Sequence, residues 1–355
     1  MRIGPRKVAL WRTATIAIAC CLAACAAPRA NSTKMPAGAP AASTATAATA
    51  ANFNDWLTGV RVQAAAAGIS KPTLDSALDN LQPIREVLDL ELKQPEVKLT
   101  FAQYLDRTVT TQRVAQGQKL LAENRPLLDR VSAAYGVQPQ YIVALWGIES
   151  DYGRVTGGYP VVGALATLAY GSQRKDMFRT ELMDALRILD EKDIQADLMT
   201  GSWAGAMGQC QFLPSSFLRY AVDFSGDGRR DIWTDRADVF ASTANYLASL
   251  QWDRNRSWGR EVKLPPGFDS SLIDWESAKP IQEWQRLGVR NPDGSDLQGS
   301  SEPVALVASD GVAGRAFLVN PNYSTIMKWN RSTYFATSVG LLADRIAGGV
   351  QQSSD

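Results

Sequence analysis

YIVALWGIESDYG, Tyr141–Gly153, is a long apolar run that ends on an acid and a glycine. Pro139 suits the first turn of a helix, and Gly147 and Gly153 punctuate its end, so the pattern predicts a short helix over Gln138–Glu149. Ile142, Leu145, Trp146 and Glu149 fall at i, i+3, i+4 and i+7, on one face that is apolar except for its last residue. A carboxylate against apolar walls is poorly solvated, so its ionised form is disfavoured and its pKa rises. A carboxylic acid kept protonated at neutral pH is what a glycosidase needs to protonate a leaving oxygen. The bland alternative is a Glu149 that frays into water at the helix end, as lone helical glutamates usually do.

Composition narrows the chemistry. The chain has 355 residues, enough for one large or two modest domains with an ample core, and 45% of them are hydrophobic. A net charge of +1 gives no field suited to nucleic acid. There is no histidine. That excludes Ser-His-Asp and Cys-His triads, His-ligated zinc and haem with a His axial ligand. Acid–base work falls to Asp, Glu, Lys, Tyr or Cys.

The N-terminus reads as a targeting segment. Arg2, Arg6, Lys7 and Arg12 precede an apolar run, Thr13–Ala24, too short to span a bilayer comfortably. The run ends Leu22-Ala23-Ala24-Cys25, which resembles a bacterial lipoprotein signal with Cys25 as the lipidated first mature residue. The alternative is an ordinary secretory signal cut at one of the neighbouring small residues. Cys20 and Cys21 leave with the signal, so with Cys25 lipidated only Cys210 remains and no intramolecular disulfide forms. Residues 26–51 are rich in Ala, Thr, Ser and Pro and read as a flexible tether.

Folded sequence begins near Asn52 and is mostly helical to about Leu250. Helices are predicted over Phe53–Ala67, Thr73–Asn80, Phe101–Asn124, Arg125–Tyr135, Lys175–Leu189 and Phe240–Leu250. Beyond Trp258 the short apolar runs Glu261–Leu264, Pro303–Val307 and Ala316–Val319 read as strands, Asn291–Ser301 as a loop, and Ser324–Ile346 as helix again. A helical body with a small β insertion before the last helix makes the fold class α+β, mainly helical.

Two further segments carry chemistry. GSWAGAMGQCQFLPSS, Gly201–Ser216, concentrates glycines and small residues where a backbone comes close to something. Ser202 and Gln211 offer neutral hydrogen bonding, Trp203 and Phe212 flat apolar faces; sugars need both. A glycine-rich turn before a helix starting at Pro214 would look the same. In the segment Asp223–Asp231, oxygen side chains at positions 1, 3, 5 and 9 with Gly at 6 match the start of an EF-hand calcium loop. Position 12 is Thr234 instead of the bidentate Glu, and Asp235 or Asp238 is left to close the set; a solvated acidic turn is the alternative. The candidate metal set is Asp223, Ser225, Asp227, Arg229 and Asp238, holding a structural Ca2+ or Na+.

Together these segments resemble the lytic murein transglycosylase B family. The matching stretches are ALWGIESDYG around Glu149, PVVGALATLAY (Pro160–Tyr170), GSWAGAMGQCQFLPSS, the Asp223–Asp231 loop with Ile232-Trp233, Ala244–Tyr246, Trp329–Thr333, and LKQPEVKLTFAQYL (Leu92–Leu105). They run in order over most of Asn52–Ile346. The resemblance implies a lysozyme-like catalytic core (131–260 and 320–347), a helical flanking part (52–130), a small β domain (261–319) and an EF-hand-like site. Glu149 matches the catalytic acid; Ser202, Gln211, Tyr246 and Asn330 match substrate-contacting positions, and Tyr104, Arg174 and Lys175 further cleft residues. Trp329 stands where Tyr is common, so stacking is expected to survive and a hydroxyl contact to be lost.

The implied reaction cleaves the β-1,4 bond between N-acetylmuramic acid and N-acetylglucosamine without water. Glu149 acts as acid and then as base, and the muramic 6-hydroxyl closes on C1 to give a 1,6-anhydro sugar. No catalytic cofactor is expected. The rivals are a lysozyme-type hydrolase and a non-catalytic wall-binding lipoprotein. Expected partners are peptidoglycan strands, a membrane through the lipid anchor and cell-wall synthesis or lysis complexes. The expected location is the periplasm, anchored to the outer membrane of a Gram-negative bacterium.

Overall fold

The computed structural model describes residues 43–93, 99–299 and 302–348, with side chains from residue 52 onward. The leader, Cys25 and residues 26–42 of the expected tether lie outside the described residues.

The chain opens with α1 (Ser43–Ala66), α2 (Lys71–Leu78) and α3 (Arg85–Leu92). Helix α1 starts inside the expected tether: Ser43–Ala51 is STATAATAA, and alanine's helix propensity extends the helix there. Gly68 closes it at φ +92°. Helix α2 lies two residues earlier than expected: Pro72 falls within its first turn, the Ser70 amide and hydroxyl just before it bond Asp190 Oδ1 at 3.1 and 2.5 Å, and Asp79 and Asn80 turn the chain away.

The single helix expected over Phe101–Asn124 is two. α4 (Phe101–Thr108) ends at Val109, and Thr110 caps α5 (Thr111–Glu123) by accepting from the Arg113 amide at 3.1 Å. α6 (Arg125–Tyr135) follows as expected and ends on left-handed Gly136.

Next comes α7 (Pro139–Ser150), which is apolar all round and therefore buried all round, not on one face. From Tyr141 to Ser150, Glu149 is the one residue that is not fully buried. Three consecutive left-handed residues, Asp151, Tyr152 and Gly153 (φ +50°, +61°, +81°), end the helix and reverse the chain. Gly147 is required here: a Cβ on it would sit 2.7 Å from the Tyr152 ring. The Tyr152 hydroxyl donates to the Arg113 carbonyl at 2.6 Å and ties this turn to α5.

The body continues with β1 (Tyr159–Pro160), α8 (Val161–Gly171), α9 (Lys175–Asp190), β2 (Thr200–Gly201), α10 (Pro214–Tyr220) and α11 (Arg236–Ser249). The stripe Phe178, Leu182, Ala185 and Leu189 of α9 is buried, as its spacing predicts. Helix α11 begins four residues before the expected Phe240 because Asp235 caps it, accepting from the Ala237 amide at 2.6 Å.

The insertion holds β3 (Gly259–Val262), β4 (Asp274–Pro280), α12 (Ile281–Arg286), β5 (Pro303–Ala308) and β6 (Ala316–Val319). Its antiparallel sheet has the order β3-β6-β5-β4. β4 was not expected: DWESAKP lacks apolar alternation, as suits an edge strand whose register shifts between Asp274 and Lys279. One sheet face covers a small core of its own around Trp284, Val289 and Leu306. The other, with Val307, Phe317 and Val319, joins the main core.

Helix α13 (Pro321–Trp329) and α14 (Thr333–Gly348) replace the single helix expected over Ser324–Ile346. The break at Asn330, in extended conformation (φ −143°, ψ 118°), turns the end of α13 toward the end of α7.

Candidate functional site

A cavity of about 90 Å3 lies over the end of α7, lined among others by Glu149, Ser202, Gln211, Tyr246, Trp329 and Asn330. Five sequence-predicted residues therefore meet at one place although they come from four separate stretches. A larger cavity of about 530 Å3 opens between α4 and the sheet, beside Lys263 and the Glu261–Arg315 ion pair. It contains no buried unpaired acid, so the smaller cavity is the candidate site.

Glu149 is the only acidic side chain among the described residues that line this cavity. Burial among apolar neighbours pushes its pKa up from 4.5 to about 8, and a hydrogen bond from Trp329 partly opposes the rise. That bond runs from the indole Nε1–H to Glu149 Oε1 at 2.7 Å. Trp329 thus places a donor on the Glu149 carboxyl. The expectation of stacking alone missed that the indole carries an N–H of its own. Asp151 is turned away, held by Arg154 at 2.5 Å and Arg113 at 3.6 Å.

The Gly-rich stretch supplies the opposite wall. Ser202 Oγ accepts from the Ala206 amide at 3.0 Å, and the Ser202 amide donates to the Ala206 carbonyl at 2.8 Å, closing a tight turn. Gln211 is left-handed (φ +50°), and its Nε2 donates to the carbonyls of Thr156 and Gly208 at 3.0 and 2.8 Å. Both amide hydrogens are engaged, which leaves Oε1 as an acceptor. Tyr246 donates its hydroxyl to the Lys328 carbonyl at 2.8 Å and sets its ring 4.6 Å from that of Trp329. Phe212 packs on the same indole at 5.2 Å. Cys210 is buried beneath, bonded to the Val239 carbonyl and Thr243.

Three predicted cleft residues stand outside this cavity's lining. Tyr104 on α4 packs edge-on against Tyr334 at 5.6 Å. Arg174 precedes α9, paired with Glu91 at 3.3 Å and lying over the Phe178 ring. Lys175 is exposed at the start of α9. The sequence signals for Leu213 and Ser216, which do line the cavity, are those of an ordinary helix start.

The acidic loop is curled about Asp223. Its carboxylate accepts the amides of Gly226, Asp227 and Gly228 at 2.6, 3.2 and 2.8 Å, and these bonds, Gly228's first, hold it below the usual carboxylate range. Asp227 accepts the Arg229 amide and guanidinium at 2.9 and 3.0 Å. Asp238 is fully buried and takes the amides of Phe224, Ser225 and Asp231 at 2.8, 3.1 and 2.8 Å. Among the described residues no three acidic or Cys side chains converge as a ligand cluster. The donors are nevertheless all oxygen, with Gly228 left-handed at the sixth position, a donor chemistry that fits a hard cation.

Residues 52–344 match the family described as the transglycosylase SLT domain. The chain is 34% identical over 253 residues to the membrane-bound lytic murein transglycosylase B of Escherichia coli (strain K12), covering 69% of this chain and 66% of that one, just under two thirds of its length. SltB3 from Pseudomonas aeruginosa in complex with NAG-anhNAM-pentapeptide superposes with a TM-score of 0.81 at 44% identity, over 83% of this chain and 80% of that one. The Escherichia coli lytic transglycosylase Slt35 in complex with calcium superposes with a TM-score of 0.72 at 28% identity, over 84% and 94%.

The raised acid has a measurable cost. The folded state holds the Glu149 proton up to about pH 8, against an ordinary value of 4.5, so this group's stabilising contribution is complete below about pH 4.5 and lost as pH rises toward 8. Glu149→Gln removes that titration. Thermal melting is expected to show the variant above wild type by about 2 °C or more near pH 8, with the gap closing near pH 4. Parallel melting curves at all pH values would mean a solvated Glu149.

Proposed function

We propose that this chain, which belongs to the lytic murein transglycosylase B family, cuts the β-1,4 bond between N-acetylmuramic acid and N-acetylglucosamine without water. The observation that carries this reading is the single, raised carboxyl of Glu149 in a cavity lined by neutral hydrogen-bonding groups and aromatic rings. Retaining glycosidases place a second carboxylate about 5–5.5 Å from the acid, and inverting ones about 6.5–9.5 Å. No second acid lines this cavity among the described residues, and a single acid suffices when the substrate supplies the nucleophile.

Protonated Glu149 gives its proton to the glycosidic oxygen as the bond to C1 breaks. The acetamido group at C2 can cover C1. The resulting carboxylate then takes the proton of the muramic 6-hydroxyl as that oxygen bonds C1, closing the 1,6-anhydro ring and restoring the acid. Ser202, Gln211, Tyr246 and Asn330 contact the sugars; Gln211 Oε1 suits an N–H or hydroxyl donor of the substrate. Tyr104, Arg174 and Lys175 belong to the reading as more distant contacts. The flanking helices 52–130, the core 131–260 and 320–347, and the β domain 261–319 are part of the same proposal, the last supported by its separate small core.

The Asp223–Asp238 loop holds calcium, through Asp223, Ser225, Asp227, Asp238 and the main chain of Arg229, and the ion serves to fix backbone. The relative described in complex with calcium supports this. Cys25 carries the lipid and places the protein on the periplasmic side of the outer membrane, a reading supported by the membrane-bound relative. No helix among the described residues is long and apolar enough to cross a membrane.

Three measurements test these statements. Mass spectrometry of fragments released from purified sacculi should find 1,6-anhydro ends from wild type, and Glu149→Gln should be slower by about 10²-fold or more. Reducing ends would make the enzyme a hydrolase, and an inactive wild type a wall-binding protein. Calcium should raise the melting temperature of wild type and leave that of the Asp223→Ala, Asp227→Ala double variant unchanged; a wild type indifferent to calcium removes the metal site. Labelled palmitate should enter the wild type and be absent from Cys25→Ser, which should be released from membranes. An unlabelled, soluble wild type would point to a plain secretory signal.

A further inference from the structure

We propose that Trp329 is a positioning residue that decides which oxygen of Glu149 carries the acid proton. The inference rests on the reading of Glu149 as the acid. The indole Nε1–H meets Oε1 at 2.7 Å, at the short end of N–H···O bonds. An indole nitrogen donates and never accepts. The carbonyl oxygen of a neutral carboxyl is its better acceptor, so Oε1 is the carbonyl oxygen and the proton sits on Oε2. No described residue bonds Oε2, which leaves it for the glycosidic oxygen.

The indole is itself fixed. Tyr246 and Phe212 pack on it with ring centroids at 4.6 and 5.2 Å. The Tyr246 hydroxyl holds the carbonyl of the preceding residue, Lys328, at 2.8 Å. Asn330 leaves α13 immediately after it in extended conformation. The donor therefore keeps its aim through the cycle. It strengthens as Glu149 becomes a carboxylate, since bonds to charged acceptors are the stronger ones. A tyrosine hydroxyl at this place could turn and accept; the indole cannot.

The bond also limits how far burial raises the acid. Cys210 and Tyr246 are the other titratable groups that feel the charge of Glu149. Burial pushes the Cys210 thiol up to about 12 and raises the Tyr246 phenol above its ordinary value, so both stay neutral where Glu149 titrates. Asp151 on the same turn is paired outward with Arg113 and Arg154. The alkaline limb of the pH–rate profile thus belongs to Glu149, and Trp329 holds it down.

The test is the pH dependence of kcat and KM on a defined glycan strand for wild type, Trp329→Phe and Glu149→Gln. A further variant carries at position 329 a benzothiophene amino acid, which puts sulfur in place of N–H at nearly the same shape. In both Trp329 variants the alkaline limb should move up by about one pH unit or more, because the carboxylate has lost a donor. The plateau kcat should fall on the order of tenfold or more with KM within about threefold of wild type. An unmoved limb, or a loss confined to KM, would reduce Trp329 to a stacking surface. If Trp329→Phe fails to fold, the benzothiophene variant decides alone. An active Glu149→Gln would overturn the acid itself; an inactive Glu149→Gln with an unmoved limb overturns only the role of Trp329.

Discussion

α7 is buried along nearly its whole length, and the surrounding helices are arranged to keep it so. A helix that reads Tyr-Ile-Val-Ala-Leu-Trp-Gly-Ile has no polar side to show to water, so other elements must close over it on every side. α5, α6, α11 and α14 all pack against it. The small residue at Gly147 lets the Tyr152 ring close over the last turn. Once that enclosure is complete, the one carboxyl in the buried stretch stands where water is scarce and the cleft is open. The acid's chemistry follows from the packing, without a neighbouring charge to tune it.

Burial and stability are therefore opposed at one residue as pH rises. Elsewhere the fold satisfies its buried acids with donors. Glu181 accepts both the amide and the hydroxyl of Ser215 at the start of α10, at 2.9 and 2.7 Å. Asp193 receives three bonds from Arg230. Glu149 receives one, from a neutral donor. Burial raises Glu181 as well, but two donors oppose the rise there, whereas a single bond opposes it at Glu149, which is pushed up to about 8.

Much of this was legible in the residues. Pro139 in the first turn, Gly153 after the last one, the apolar run before Glu149, the stripe on α9 and the strands at Pro303 and Ala316 all announced themselves through spacing, whereas Gly147, expected to help end α7, lies inside it beneath the Tyr152 ring. What failed to show has physical reasons. Val109–Thr110 reads as helix interior because a threonine cap and a helical threonine look alike until the chain turns. Asn330 breaks α13 from α14 through tertiary packing that no local propensity records. β4 is an edge strand made of polar residues, recognisable only by its partner β5. The meeting of Trp329 with Glu149 joins residues 180 positions apart, and nothing in either segment alone announces a bond.

Cys210 carries a consequence of another kind. Its thiol is enclosed, bonded to the Val239 carbonyl and Thr243, and burial keeps it from ionising near neutral pH. Thiolate is the reactive form, so alkylating reagents and oxidants pass this site by while the core is closed. It lies between α11 and the floor of the cleft, where only a substantial opening of the body would uncover it. The protein thus contains its own chemical clock: the rate at which Cys210 is labelled reports how often its main core comes apart.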